Sequence, residues 1–130
     1  MSGSMEILNQ ILHNLRGKYD RINQLHNLTK EMEKALSYND SASFGTLLDM
    51  RKKQMDAIDE LDRQNRKLIA QLPEALQSRV KKILAPKGEP LRLDNPLETN
   101  IFDTNRRGIL LLQKVAALND SVFQKMQRTK

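Results

Sequence analysis

The chain contains no cysteine and no tryptophan, and only 4% of its residues are aromatic. Without thiols there can be no disulfide scaffold, thiolate zinc site, iron–sulfur cluster or cysteine nucleophile. Three Phe and two Tyr are too few to build a stacking platform for single-stranded nucleic acid. No apolar run approaches the ~18 residues of a transmembrane helix. The opening residues, Met1-Ser2-Gly3-Ser4, lack the apolar stretch of a signal peptide and read as a cloning remnant ahead of a natural start at Met5. These absences predict a soluble, cytoplasmic protein.

Recognisable catalytic patterns are missing as well. There is no GxGxxG or GxxxxGK[ST] loop to cradle a phosphate, and no HExxH or ExxH pairing. His13 and His26 stand 13 residues apart on one helical stretch, which suits two helix-edge imidazoles better than a metal site. The acidic residues Asp56, Asp59, Glu60 and Asp62 are interleaved with Lys52, Lys53, Arg63 and Arg66. At spacings of three and four these are intrahelical partners worth ~0.2–0.5 kcal/mol each, not an acid–base pair with separated pKa values. The expectation is a non-enzyme without metal or cofactor.

What the sequence does contain is helical patterning. Its 130 residues, 38% hydrophobic and 29% charged, suit a single domain. The net charge of +6 is spread over the chain. Residues 1–40 are neutral, and 41–85 and 86–130 each carry +3. Nucleic-acid arms and polybasic membrane anchors concentrate their charge. Arg51-Lys52-Lys53 and Arg79, Lys81 and Lys82 therefore read as wet faces of amphipathic helices.

The first stretch, 5–36, places Leu8, Leu15, Ile22, Thr29 and Leu36 at heptad spacing, with Ile11, Leu25 and Met32 as a second row broken by Lys18. Gly17 is expected on the opposite side, away from packing. The Ser/Asn/Asp-rich segment 37–43 predicts a short turn and an antiparallel return. The second stretch, 43–72, carries Leu48, Met55 and Ile69 in one row and Phe44, Ile58 and Leu72 in another, with Arg51, Asp62 and Asn65 at polar seam positions. Pro73 predicts a kink or a fresh start, followed by an extension to Leu84.

Residues 85–95 hold two prolines and a glycine and predict a non-helical linker. Asn95-Pro96-Leu97-Glu98 is a helix start: a capping Asn, a Pro at the first helical position and a Glu that can bond back. The third stretch, 96–127, carries apolar residues over a wider arc than one contact needs. Its set Phe102, Ile109, Leu112, Ala116 and Phe123 is the expected surface for a partner. Gly108, within the same stretch, suits close helix approach.

The first two helices together form a pattern. Leu25-x-x-Leu28-Thr29-Lys30 ends in Ala35-Leu36. After the turn comes Leu47-Leu48-x-x-Arg51-x-x-x-Met55-x-x-Ile58-x-x-Leu61. This resembles the FlgN-type flagellar export chaperones in their clostridia-like form, over residues 7–72 by motif and 96–127 by length and helical character. The resemblance implies a small cytoplasmic helical protein without enzymatic activity. Such a protein holds hook–filament junction (hook-associated) proteins unassembled until the export apparatus receives them, and it contacts them through its C-terminal helical segment.

The sequence thus predicts one all-α domain, an elongated three-helix bundle. A hairpin with a short extension spans 5–84, a linker 85–95 and a C-terminal helix 96–130, with a kink near Pro73. Expected core residues are Leu15, Ile22, Leu25, Leu48, Met55, Ile58, Ile69, Leu111, Val115 and Leu118. The expected function is binding of helical segments of flagellar hook-associated proteins, with no nucleic acid or membrane partner. If the third helix is incompletely buried, either a homodimer or a mobile third helix is expected. The alternatives are a coiled-coil scaffold and a basic helical nucleic-acid binder.

Overall fold

The computed structural model describes residues 2–87 and 91–128. It contains four helices: α1 (Ser2–Ser37), α2 (Ser41–Ala70), α3 (Glu74–Leu84) and α4 (Pro96–Arg128). The described residues form an all-helical fold, with four helices where three were expected, because of the two readings of Pro73 the structure takes the fresh start and not the kink. Gly88, Glu89 and Pro90 of the expected linker, and residues 129–130, lie outside the described residues.

Each boundary has a local cause. After α1, Asn39 takes a left-handed conformation with φ 55°, which Asn tolerates better than most side chains. The Asp40 amide turns back onto the Ala35 carbonyl at 2.8 Å. The Asp40 carboxylate then accepts from the Ser43 amide at 3.1 Å and caps α2. The turn is therefore tighter than expected, and α2 starts at Ser41 rather than Ser43. Pro73 caps α3 instead of entering its first turn. Gln77 Nε2 donates to the Leu72 carbonyl at 2.7 Å and the Ala70 carbonyl at 3.3 Å. Those bonds satisfy carbonyls that the end of α2 would otherwise leave open.

α1 is the spine, about 54 Å long at ~1.5 Å per residue. α2 runs antiparallel along one flank. Asn14 Nδ2 donates to Asn65 Oδ1 at 2.9 Å, Lys18 meets Asp62 at 2.7 Å, and Gln54 Nε2 donates to Gln24 Oε1 at 2.7 Å. Gly17 sits within this contact, half-buried, and a Cβ there would lie 3.7 Å from Leu61 Cδ1. The expectation that Gly17 faces away from packing is wrong. α4 runs parallel to α1 on the other flank. A Cβ at buried Gly108 would lie 3.7 Å from Ile22 Cδ1, and Glu33 accepts from Ser121 Oγ at 3.4 Å.

The apolar residues gather in two places. At the α1 N-terminal end, Leu8, Ile11, Leu12 and Leu15 pack with Ile69, Leu72, Val80, Ile83 and Ile101, and Leu91 and Leu93 of the 85–95 linker, a strap between α3 and α4, are laid against them. In the middle, Ile22, Leu25, Ile58 and Val115 form a smaller cluster. Leu48 and Met55, expected in the core, are instead 42% and 46% exposed. Leu111 and Leu118 are half-buried. The cause is geometric: no α2 Cα lies within 8 Å of an α4 Cα, so the α2 flank that carries Leu48 and Met55 has no helix packed against it.

The start of α4 is fixed by a charged clamp. Asn95 Oδ1 accepts from the Glu98 amide at 2.9 Å, as expected for the cap. The Glu98 carboxylate bonds back to the Asp94 amide at 2.8 Å, one residue before the cap. It also receives Arg79 Nε and Nη2 at 2.6 Å each, and Arg79 Nη2 reaches the Arg92 carbonyl at 2.6 Å. Arg79, which also pairs with Asp94 at 3.1 Å, thus ties α3, the strap and α4 together. The Arg79 guanidinium holds the buried Glu98 carboxyl below its ordinary range, with the Asp94 amide assisting against burial. Since the unfolded chain binds that proton more readily, the clamp stabilises the fold above the unfolded pKa of ~4.3 and is lost as pH falls through the lower folded value. Arg79 keeps 30% of its side chain exposed, so Glu98→Gln should cost only about 1–2 kcal/mol at pH 7. Urea unfolding at pH 3 to 7 should show a weaker acid loss in the variant than in the parent. A residual slope should persist from Asp40 and Glu60, whose carboxyls Ser43 and Arg63 also hold down.

Candidate functional site

The three polar seam residues of α2 have separate fates. Asn65 is buried and bonded to Asn14, and Asp62 is paired with Lys18. Arg51 is half-buried, and its buried Nε has no hydrogen-bond partner among the described residues. They do not form one network. Asn65 and Asp62 satisfy each polar group locally and fix the α1–α2 register.

Lys18 also locates an open side of the molecule. It lines a small crevice between α1 and α4 with Ile109 and Leu112. The Asp62 flank of α2 and the Ile109 flank of α4 therefore border the same strip of α1. Leu48 and Met55 lie on the Asp62 row at seven-residue spacing, which keeps them on that flank. Phe102, Ile109, Leu112, Ala116 and Phe123 lie about 60–140° around α4 from the buried row Ile101, Gly108, Val115 and Val122. Through the α1 cross-links, Met55 stands level with Leu111 and Leu48 with Leu118, to within one turn. The result is a groove along α1, walled by α2 and α4.

The five expected site residues share this flank but not one environment. Phe102 is half-buried and packs on the larger core. Phe102 and Ile109 together line a cleft of about 440 Å³ against Ile83, Leu84 and Pro86 of α3 and the strap. At this cleft Asn105 Nδ2 caps the α3 end through the Leu84 carbonyl at 2.8 Å. Leu112 is half-buried against the middle core. Ala116 is exposed, while Ile109 and Phe123 are 41% and 58% exposed. From Phe102 to Phe123 the row runs about 32 Å.

Sequence reasoning missed the α2 wall. Both α2 rows carry one charged residue, Arg51 in one and Asp62 in the other, so the sequence held no signal to separate the wall from the core. The opposite flank of α4 is polar. There Arg16, Asp20, Asp103 and Arg107 line a cleft of about 460 Å³, with the Arg107 guanidinium 5.0 Å from the Tyr19 ring centre. Its charges balance. His26 is half-buried and held below its ordinary pKa by burial and by Lys30 and Lys114. No group of His, Asp or Glu that could hold a metal occurs among the described residues, and none of their helices is long and apolar enough to cross a membrane.

No protein-family model matches the chain, and no curated protein or solved structure matches it. The site is therefore defined by its geometry alone: an apolar groove with a polar seam at one end.

Large apolar side chains left in water along one line mark an interaction surface more often than scattered ones do. If Phe123 belongs to that surface, removing it should not harm the fold. Phe123→Ser should shift unfolding free energy by less than ~0.5 kcal/mol. Val122→Ala, one residue earlier on the buried row, should cost about 1–3 kcal/mol. Urea denaturation of both variants checks the contrast.

Proposed function

We propose that the protein is a helix-binding export chaperone. It holds helical segments of flagellar hook-associated proteins unassembled before secretion and hands them to the export apparatus. One observation carries the helix-binding part. No α2 Cα lies within 8 Å of an α4 Cα, and above the shared core of Ile58 and Val115 the side chains Leu48, Met55, Ile109 and Phe123 stay exposed on the flanks that border one strip of α1. A groove of this form suits an amphipathic helix, read through apolar anchors at three- and four-residue spacing. The flagellar part is supported by the hairpin motif running from Leu25 to Leu61. In this reading the protein is cytoplasmic, non-enzymatic and free of cofactors, and its partner is neither nucleic acid nor membrane.

Burial of the groove side chains would supply the affinity, and the charges on its rim would select the partner. The C-terminal segment contributes one wall through α4 and α2 contributes the other.

Co-expression with the terminal helical segments of a hook-associated protein, followed by size-exclusion chromatography with light scattering, tests this directly. A 1:1 complex is expected. Ile109→Asp should abolish it while circular dichroism of the free variant stays unchanged, because Ile109 is 41% exposed. A compact self-dimer that ignores the segments would favour the scaffold reading. Unfolding of Ile109→Asp would make Ile109 a core residue and remove it from the site.

A further inference from the structure

Arg51 is the anomaly of the groove. It occupies the α2 row that continues into buried Ile58 and Asn65. Its neighbours three and four residues away are Leu47, Leu48, Gln54 and Met55, so α2 offers it no carboxylate. Through the α1 register it stands level with Val115. The other part-buried cations are paired: Lys18 with Asp62, Arg79 with Glu98, Lys125 with Glu33. Arg51 has no ion pair or hydrogen bond among the described residues, and its Nε is buried without an acceptor. Burial holds its guanidinium below its ordinary pKa. Burying the Nε of an unpaired guanidinium costs stability, and no acceptor for it occurs among the described residues.

We propose that Arg51 is the specificity residue of the groove, and that the partner is an amphipathic helix carrying an Asp or Glu within its apolar face to pair with it. This deepens the helix-binding reading and rests on it for the shape of the partner. The charge is an independent requirement. A guanidinium presents forked donors that match a carboxylate in two-point contact. Inside a groove sealed by Leu48, Met55, Leu112 and Ala116 that contact would be shielded from water, where it discriminates most. A partner helix with a purely apolar face would leave the guanidinium buried and unpaired. One with a basic residue there would be repelled. Arg51 thereby selects among amphipathic helices that all fit the groove by shape.

Three synthetic amphipathic helical peptides test this with the full chain, identical except for Glu, Leu or Lys at the central position of the apolar face. Titration calorimetry should give the Glu peptide at least ~10-fold tighter binding than the Lys peptide. Arg51→Met should erase that preference. Lys53→Met, which removes the same charge from the exposed face of α2, should retain it and so control for the net charge of +6. Arg51→Met should also raise the thermal midpoint of the free protein, which shows that lost preference is not lost folding.

An equal preference in Arg51→Met, or no binding of the Glu peptide by wild type up to about 1 mM, overturns the proposal. So does a wild-type self-dimer that Arg51→Met disrupts, because the acidic partner would then be a second copy of this chain. Binding of the Glu peptide without binding of hook-associated segments leaves Arg51 as the selector and removes only the flagellar assignment. Binding of those segments unaffected by Arg51→Met does the reverse.

Discussion

Two helices packed on opposite flanks of α1, with no Cα of one within 8 Å of the other, are the constraint from which the rest of the molecule follows. α1 can serve both because its buried positions form a wide stripe: Leu8, Ile11, Leu12, Leu15, Ile22, Leu25, Thr29 and Met32 are all nearly closed to solvent. The buried Thr29 hydroxyl is satisfied within the helix, donating to the Leu25 carbonyl at 2.8 Å. Each outer helix has only one partner along most of its length. α2 and α4 accordingly keep apolar side chains on the flanks where a closed three-helix bundle would have joined them.

What holds α4 in place differs between its two ends. At its start the Arg79–Glu98 clamp, the Asn95 cap and the Leu91 and Leu93 contacts bind it to α3, the strap and the larger core. Toward its other end the support is thinner: Val122 is buried, and Glu33 meets Ser121 and Lys125 at 3.4 and 3.5 Å. The groove runs from a well-anchored end of α4 to a lightly anchored one. A partner helix can therefore add contacts without displacing an existing core, since Ile22, Leu25, Ile58 and Val115 already fill the space beneath it.

Much of this was legible in the sequence, for definite reasons. Heptad spacing marked α1 because both its flanks are used, so most of its apolar positions, Leu8 through Met32, are buried. The α4 start was legible because Asn, Pro and Glu at those positions each satisfy a specific backbone need. α2 was misjudged. It carries two competing rows, Phe44–Arg51–Ile58–Asn65 and Leu48–Met55–Asp62–Ile69, and periodicity cannot say which one faces a helix and which faces open space. That choice depends on how far α4 stands from α2, a tertiary quantity. Gly17 was misplaced for a related reason, since only the position of Leu61 on α2 brings packing to it. The pairing of Asn65 with Asn14 and of Asp62 with Lys18, and the isolation of Arg51, likewise follow from the helix register.

The absence of native cysteine allows the open groove to be probed with single thiols. The most direct measurement is the labelling rate of Met55→Cys, Ile109→Cys and Ile22→Cys, free and in the presence of a bound amphipathic helix. The open-groove account predicts rapid labelling at 55 and 109 and negligible labelling at 22 in the free protein. It further predicts that a bound helix protects 55 and 109 together. Slow labelling at either position in the free monomer, or protection of only one wall by a bound helix, would contradict it.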